Sequence, residues 1–205
     1  SVLTGSDGDP EDGYQYIEMR DGVLLSAMVR FPDPLLYGEG PYPTVIEYSG
    51  YSPSRSDRMD AGTLISNALG FATVSVNMRG SGCSGGVFDV FNPAQHADGY
   101  DLVEIVARQE WVLHNHVGMV GLSYPGISQL YVASTKPPSL AAIIPLSTIA
   151  DAWEMQWPGG IYNKGFTRQW VEARENQAQV GGSSWVSARI EQGDETCSRN
   201  LKLSH

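Results

Sequence analysis

Long apolar runs and positive charge are both scarce in this sequence. Its 205 residues contain no run of about 18 apolar side chains, so no segment is long enough for a membrane-spanning helix. Lysine and arginine total 13 against 23 aspartates and glutamates, which gives a net charge of −10. Nucleic-acid binding requires clustered basic side chains, so this balance argues against it. We therefore expect neither a membrane nor a nucleic acid among the partners.

Cysteine and histidine, the usual ligands of transition metals, are also rare. Cys83 and Cys197 lie far apart in the chain and do not have metal-binding spacing. These thiols are either free or, in an exported protein, joined in a disulfide. The small, polar and acidic residues 1–13 predict a flexible lead-in and not a signal peptide, so both a secreted and a cytoplasmic location remain open. We expect no metal and no cofactor.

Most of the chain alternates between strand-like and helix-like patterns. Residues 14–31 contain two strand-like segments around Asp21 and Gly22, which predicts an antiparallel hairpin. Between residues 44 and 146, continuous apolar strands alternate with segments that have apolar residues at helical spacing. This alternation predicts a mostly parallel sheet flanked by helices, the α/β class. The pattern changes after Ala150, so we place the core at residues 14–150.

Four local expectations follow from the same patterns. A loop rich in proline and glycine is predicted over residues 35–43, a helix over 98–109 and a strand over 117–122. His114 and His116 are expected in a polar turn before that strand. In the helix predicted over 166–178, Trp170 and Val171 are expected to face inward.

The segment from residue 117 to 126 places a serine between a buried strand and a helix. Gly121 permits a sharp turn, and Ser123 then lies at the start of the helix, where backbone N–H groups and the helix dipole can stabilise an anion. This is the pattern of a nucleophile elbow, although the common G-x-S-x-G form has glycine where this chain has Pro125. Proline suits the first turn of a helix, so the pattern still fits. A helix-capping role for Ser123 is the alternative.

The glycine-rich loop over residues 79–86 offers a different function. Residues 80–85 fit G-x-G-x-x-G after a strand, as a dinucleotide-binding site would. Residues 86–91 are not helix-like, and Pro93 follows shortly, so no helix N-terminus is available for a pyrophosphate. The sequence favours a tight turn beside the sheet.

A nucleophilic serine requires donors for the oxyanion and a general base. The backbone N–H of Tyr124 follows the serine directly and is one predicted donor. Tyr51, in the loop after the strand over 44–48, is a candidate for the second donor, and its alternative role is a packed loop aromatic. Only His205 follows Ser123 in the chain, and no recognisable loop contains it. The sequence therefore contains no convincing base.

Taken together, these motifs resemble the N-terminal part of the cocaine esterase and X-Pro dipeptidyl-peptidase family of α/β hydrolases. In that family the elbow reads glycine–x–serine–tyrosine–x–glycine, which accommodates Pro125 and Gly126. The resemblance extends over residues 14 to 170 and is strongest in residues 20–23, 43–51, 77–86, 98–111 and 117–126.

The resemblance implies a role for each matching residue. Ser123 would be the nucleophile, and Tyr51 and Tyr124 would stabilise the oxyanion. Trp157 and Trp170 fall where the family's helical cap begins, so they would either line an acyl pocket or form the core of the cap. Residues 151–205 would be the beginning of that cap. Apart from the resemblance, if the protein is exported, a Cys83–Cys197 disulfide would tie this segment to the glycine-rich loop.

The expected fold is thus an incomplete α/β-hydrolase fold, with the N-terminal hairpin, the sheet and the start of a helical cap. The expected function is hydrolysis of a small-molecule ester or amide, or of a peptide, through an acyl-enzyme. The family's aspartate and histidine follow the cap and are unmatched here, so the chain resembles a truncated member and its 205 residues alone are expected to be inactive. A non-catalytic fragment or binding domain is the alternative.

Overall fold

The computed structural model describes residues 13–149, 151–178 and 182–203, so the predicted lead-in lies outside the described residues except for Gly13. The elements alternate from β3 to β6, and helices follow. The strands are β1 (Gly13–Glu18), β2 (Leu24–Arg30), β3 (Tyr42–Ser49), β4 (Ala72–Asn77), β5 (Val112–Leu122) and β6 (Leu140–Leu146). The helices are α1 (Pro34–Tyr37), α2 (Ala61–Ala68), α3 (Pro93–Ala107), α4 (Tyr124–Ser134), α5 (Ala152–Gln156), α6 (Phe166–Ala178), α7 (Ser184–Glu191) and α8 (Glu195–Leu203), with a short 3-10 helix at Pro158–Gly160.

The six strands form one sheet in the order β1-β2-β4-β3-β5-β6. β1 pairs antiparallel with β2, and β2 pairs antiparallel with β4. The pairs β3–β4, β3–β5 and β5–β6 are parallel. The helices α2, α3 and α4 connect successive parallel strands and pack on the sheet. The predicted fold, an N-terminal hairpin leading into a mostly parallel sheet flanked by helices, is confirmed.

The hydrophobic core lies between the central strands and the helices α3 and α4. Ile46 and Tyr48 of β3 are fully buried there, together with Met119 of β5. Leu102 and Val132 contribute from the helices. Each such side chain stabilises the fold by about 1.5–3 kcal/mol through removal of apolar surface from water. The core therefore fixes the carboxyl ends of β3 and β5, where the candidate site residues follow.

Two predictions about where helices lie were wrong. The helix expected over 98–109 is α3, which begins at Pro93 because the Asn92 side chain accepts a hydrogen bond from the Gln95 N–H at 3.0 Å and caps it. The proline taken as an interruption is thus a helix start. The loop expected over 35–43 contains the single-turn helix α1, capped by Asp33.

The strand expected over 117–122 is β5, which begins at Val112 and so includes His114 and His116. The polar turn predicted for these histidines is wrong. Both side chains are exposed, and His114 and Asn115 adopt positive φ angles of 58° and 55°, which makes the first half of the strand irregular. An irregular exposed strand lacks the apolar alternation that identifies strands in a sequence.

The described elements after residue 150 are all helical. Trp170 of α6 is partly buried, as predicted, whereas Val171 is exposed, contrary to the prediction. The weakly patterned residues after 181 contain α7 and α8, which pack with Tyr16 in a second apolar cluster. The division into a core and a cap at residue 150 stays a prediction. In the described part of the chain, no helix is long and apolar enough to cross a membrane.

Apolar side chains are exposed along one end of the sheet and on α2. Ile144 and Leu146 of β6 are about half exposed or more, and in the described residues β6 pairs only with β5. Leu64 and Ile65 of α2 are also more than half exposed. Apolar residues at helical spacing indicate a helix, but such spacing carries no information about what covers the apolar face.

Candidate active site

Ser123 occupies the turn between β5 and α4, the serine turn (residues 121–126). Its φ of 68° and ψ of −121° are rarely adopted by a non-glycine residue, and such backbone strain is concentrated at functional sites. The Ser123 N–H donates to the Leu146 carbonyl of β6 at 2.9 Å, which fixes the strained turn against the sheet. The Ser123 carbonyl accepts from the Gly126 and Ile127 N–H groups, both at 2.8 Å.

The unusual Pro125–Gly126 pair is explained by packing. Pro125 lies in the first turn of α4, where its missing N–H costs no hydrogen bond. A Cβ on Gly126 would lie 2.3 Å from the Leu146 carbonyl oxygen, so only glycine lets α4 approach β6 this closely. A Cβ on Gly121 would lie 2.5 Å from the Pro125 Cβ. The family form of the elbow therefore matches the steric needs of this turn.

Tyr51 reaches the serine from the loop after β3. Its hydroxyl lies 3.3 Å from the Ser123 Oγ. The same hydroxyl accepts a hydrogen bond from the Trp170 Nε1–H at 3.1 Å. Because Trp170 occupies one acceptor position, the Tyr51 O–H proton remains available for donation toward the serine or an oxygen bound beside it.

Tyr124 places two different groups near Ser123. As the first residue of α4, it has no carbonyl within the helix to accept its N–H. Its ring is buried, stacked on Phe91 with centroids 4.9 Å apart and on Trp170 with centroids 5.8 Å apart. The backbone can therefore serve as a donor while the side chain packs α6 against the core.

A cavity of about 220 Å³ opens beside Ser123. Its walls are mainly apolar and come from the loop before α3, from α4, from α5 and from α6. We call it the apolar cavity; it is lined by Tyr51, Val90, Phe91, Ser123, Tyr124, Ile127, Ser147, Ile149, Ala152, Met155, Gln156, Phe166, Thr167 and Trp170.

The structure brings Trp170 to this cavity but not Trp157. Trp157 stacks on Trp153 with ring centroids 4.4 Å apart and lies next to Tyr162, so it belongs to an aromatic cluster of the predicted cap. Phe166, which the sequence analysis missed, lines the cavity one turn before Trp170. A spacing of four residues on a helix was the signal that could have identified it.

In the described residues, no histidine lines the apolar cavity. His96 of α3 stacks on Tyr131 with ring centroids 4.8 Å apart, and His114 and His116 lie on β5 away from the serine turn. His205 lies outside the described residues. The general base required by the predicted mechanism is thus not among the residues that the structure places at the site.

The glycine-rich loop forms a tight turn, with no helix beginning directly after it. Gly80 has a φ of 70°, and a Cβ there would lie 2.1 Å from the Phe88 nitrogen. Cys83 of this loop is bonded to Cys197 of α8, and the Asn200 side chain also donates to the Cys83 carbonyl at 2.9 Å. The loop is therefore tied to the last described helix and packs beside the Tyr51 loop.

A buried carboxyl group lines a cavity together with Leu122 and Pro125 of the serine turn. Glu47 of β3 is 2% exposed, and its Oε2 has no hydrogen-bond partner in the described residues. Burial, together with the nearby Asp60, raises the pKa of Glu47 to about 8, and a hydrogen bond from Thr63 opposes this rise. At neutral pH the Glu47 side chain is mainly protonated and uncharged.

The raised pKa of Glu47 predicts that stability falls as the pH rises. Between an unfolded pKa of 4.5 and a folded pKa of about 8, the unfolded state releases a proton that the folded state retains. Glu47→Gln cannot ionise, so its free energy of unfolding should exceed that of the wild type by an amount that grows about 1.4 kcal/mol for each pH unit, to a few kcal/mol. Denaturant titrations across this pH range measure the difference.

The control for this prediction is Glu110→Gln, which changes an exposed glutamate. Its difference from the wild type should stay constant with pH. A Glu47→Gln difference that is equally constant would show that Glu47 titrates as an ordinary exposed carboxyl group.

The sheet order, the crossover helices and the strand–turn–helix that carries Ser123 define the α/β-hydrolase class. The chain belongs to the X-Pro dipeptidyl-peptidase family (S15 family), whose model matches residues 21–200. The predicted resemblance is therefore confirmed. Cocaine esterase from Rhodococcus sp. (strain MB1 Bresler) is 29% identical over 195 residues, which cover 92% of this chain and 31% of that relative.

Solved structures give the same assignment. A CocE/NonD family hydrolase from Staphylococcus aureus superposes with a TM-score of 0.72 at 26% identity, over 81% of this chain and 32% of that one. An α-amino acid ester hydrolase superposes with a TM-score of 0.58 at 25% identity, over 75% and 28%. The chain thus spans about a third of the length of the relatives it matches, and these relatives are hydrolases by name.

Proposed function

We propose that this protein is a serine hydrolase that cleaves ester or amide bonds through an acyl-enzyme on Ser123. The observation that carries the proposal is the contact between the Tyr51 hydroxyl and the Ser123 Oγ, 3.3 Å apart at a strained turn. Membership of a family with esterase and peptidase relatives supports it. A serine that only capped a helix would need neither the strain nor the tyrosine.

In the proposed reaction the Ser123 Oγ attacks the carbonyl carbon of the substrate and loses its proton to a general base. The Tyr51 O–H and the Tyr124 N–H donate to the oxygen that becomes negatively charged in the tetrahedral intermediate. Collapse of the intermediate breaks the bond to the alcohol or amine, which leaves with the proton from the base. Water then attacks the acyl group on Ser123 by the same steps in reverse.

Trp170 acts as a positioning residue in this mechanism. Its Nε1–H donates to one lone pair of the Tyr51 oxygen, so the Tyr51 proton points away from Trp170 and can point toward the serine. An oxyanion donor already oriented before the reaction avoids the cost of reorganisation in the transition state. The apolar cavity would accept an uncharged, apolar part of the substrate, because its walls offer few polar partners.

A fluorophosphonate probe tests the proposal, because it reacts with nucleophilic serines to form a tetrahedral phosphonyl adduct. We expect adduct formation on the peptide that contains Ser123, and we expect Tyr51→Phe to slow labelling about 100-fold through loss of one oxyanion donor. Mass spectrometry of the digested protein locates the adduct, and a time course gives the rate. The longest form of the protein that its gene encodes is the material to use.

Tyr37→Phe is the matched control, since the Tyr37 hydroxyl donates to the Ala68 carbonyl away from the site. It should label at the wild-type rate. Labelling at another serine, or equal rates for Tyr51→Phe and the wild type, would contradict the proposed roles of Ser123 and Tyr51 respectively.

A further inference from the structure

A second cavity shares Tyr51 with the apolar cavity as a lining residue. Its volume is about 420 Å³, and its walls are about as polar as they are apolar, which makes them much more polar than those of the apolar cavity. We call it the polar cavity. It reaches the serine turn, because Leu122 and Pro125, which flank Ser123 and Tyr124, are among its lining residues. Tyr51 lines both cavities, so a molecule bound at Ser123 lies beside an apolar region and near a more polar one.

Most charges around the polar cavity are already compensated. Arg55 forms an ion pair with Asp57 at 2.6 Å, and Arg58 lies 3.5 Å from Asp60. Glu47, at the cavity wall, is mainly protonated at neutral pH for the reasons given above. These groups therefore contribute little net charge to the cavity.

Arg174 is different, because no carboxylate in the described residues pairs with it. It lies on α6 with its guanidinium carbon 4.8 Å from the centre of the Tyr51 ring, a cation–π arrangement. Its Nε is buried without a hydrogen-bond partner in the described part of the chain, and burial lowers the pKa of this guanidinium. An arginine remains charged in such an environment, and Arg174 lines the polar cavity, so its terminal N–H groups can donate to an anion there even though its Nε is buried.

Arg174 lies on the same face of α6 as two residues that line the apolar cavity. Phe166, Trp170 and Arg174 are spaced by four residues and so lie along one face of the helix. Trp170 lines the apolar cavity and contacts the Tyr51 hydroxyl, whereas Arg174 lines the polar cavity and covers the Tyr51 ring. One helical turn, about 5.4 Å, separates the apolar and basic positions.

We propose that Arg174 binds a carboxylate group of the substrate. The protein would then prefer molecules with an apolar group on one side of the scissile bond and a carboxylate on the other. This inference rests on the proposed function, because the bound molecule is a substrate only if the protein is a hydrolase. The binding itself does not need the nucleophile. A planar guanidinium can hold a carboxylate by two parallel hydrogen bonds, which gives both affinity and orientation.

Binding of 4-phenylbutyrate and of 4-phenylbutyramide tests the proposal. The two molecules share an apolar ring and a similar length, and they differ in the charge at the end. By isothermal titration calorimetry we expect the wild type to bind the acid about tenfold more tightly than the amide, since a hydrogen-bonded charge pair contributes about that much. Arg174→Met should bind both at the affinity of the wild type for the amide.

Arg168→Met is the matched control, since Arg168 lies on the same helix, is exposed and pairs with Glu172 at 2.7 Å. It should keep the preference for the acid. Ser123→Ala should also keep it, which separates this result from the outcome of the labelling experiment. Equal affinities for acid and amide in the wild type, an unchanged preference in Arg174→Met, or no binding of either molecule at millimolar concentration would overturn the proposal.

Discussion

Ser123→Ala is expected to lower kcat/KM for ester hydrolysis by a factor of about 10⁴ or more. The proposed reaction passes through a covalent bond to the Ser123 Oγ, and removal of a nucleophile that acts together with its base removes the covalent route entirely. The residual rate would come from the oxyanion donors alone. Hydrolysis of 4-nitrophenyl acetate, followed by absorbance in the longest form of the protein that its gene encodes, measures the effect.

Ser134→Ala is the control for this prediction, because Ser134 lies at the far end of the same helix α4 and is exposed. It should retain wild-type activity. If Ser123→Ala retained more than about a tenth of the wild-type rate, a nucleophilic role for Ser123 would be excluded, because loss of a nucleophile costs several powers of ten.

Gly126→Ala is expected to reduce the free energy of unfolding by about 3–5 kcal/mol, near the upper end of single-substitution effects. The added Cβ would lie 2.3 Å from the Leu146 carbonyl oxygen and 3.1 Å from the Gly121 carbonyl oxygen, and both are backbone atoms of the sheet. Neither can rotate away, so α4 must move as a whole. Urea denaturation followed by circular dichroism measures the loss.

The same substitution should also slow fluorophosphonate labelling, because a shift of α4 displaces Ser123 from the Tyr51 hydroxyl. Gly165→Ala is the matched control: its added Cβ would meet only the Asn163 Oδ1 at 3.4 Å, and its φ is not positive. It should change stability by no more than about 1 kcal/mol. A similarly small effect of Gly126→Ala would show that α4 can move without cost.

The sheet could be predicted from the sequence because its strands are buried and apolar. β3, β4 and the second half of β5 are rich in apolar residues, and their alternation with helices along the chain favours parallel pairing. The first half of β5 was missed because His114 and His116 are exposed and the backbone is irregular there. The start of α3 was missed because a proline such as Pro93 can either interrupt a helix or occupy its first turn, and the sequence does not distinguish the two.

Part of the candidate site could be predicted for a similar reason. Ser123 and Tyr51 follow the carboxyl ends of neighbouring parallel strands, so their proximity follows from the sheet order. The contribution of Trp170 to orienting Tyr51 could not be foreseen, because it depends on how α6 packs over the core, 119 residues away from Tyr51 in sequence. Glu47 was missed because a single charged residue within an apolar strand has no periodicity to mark it.

The hydrogen bond from Trp170 to Tyr51 has a consequence for enzyme engineering. Libraries that diversify α6 to change substrate range would alter, in the same step, the residue that orients the proposed oxyanion donor. Variants selected for a changed substrate range should therefore often have a lower turnover. If this helix is replaced by that of a relative, the Tyr51 loop should have to be replaced with it.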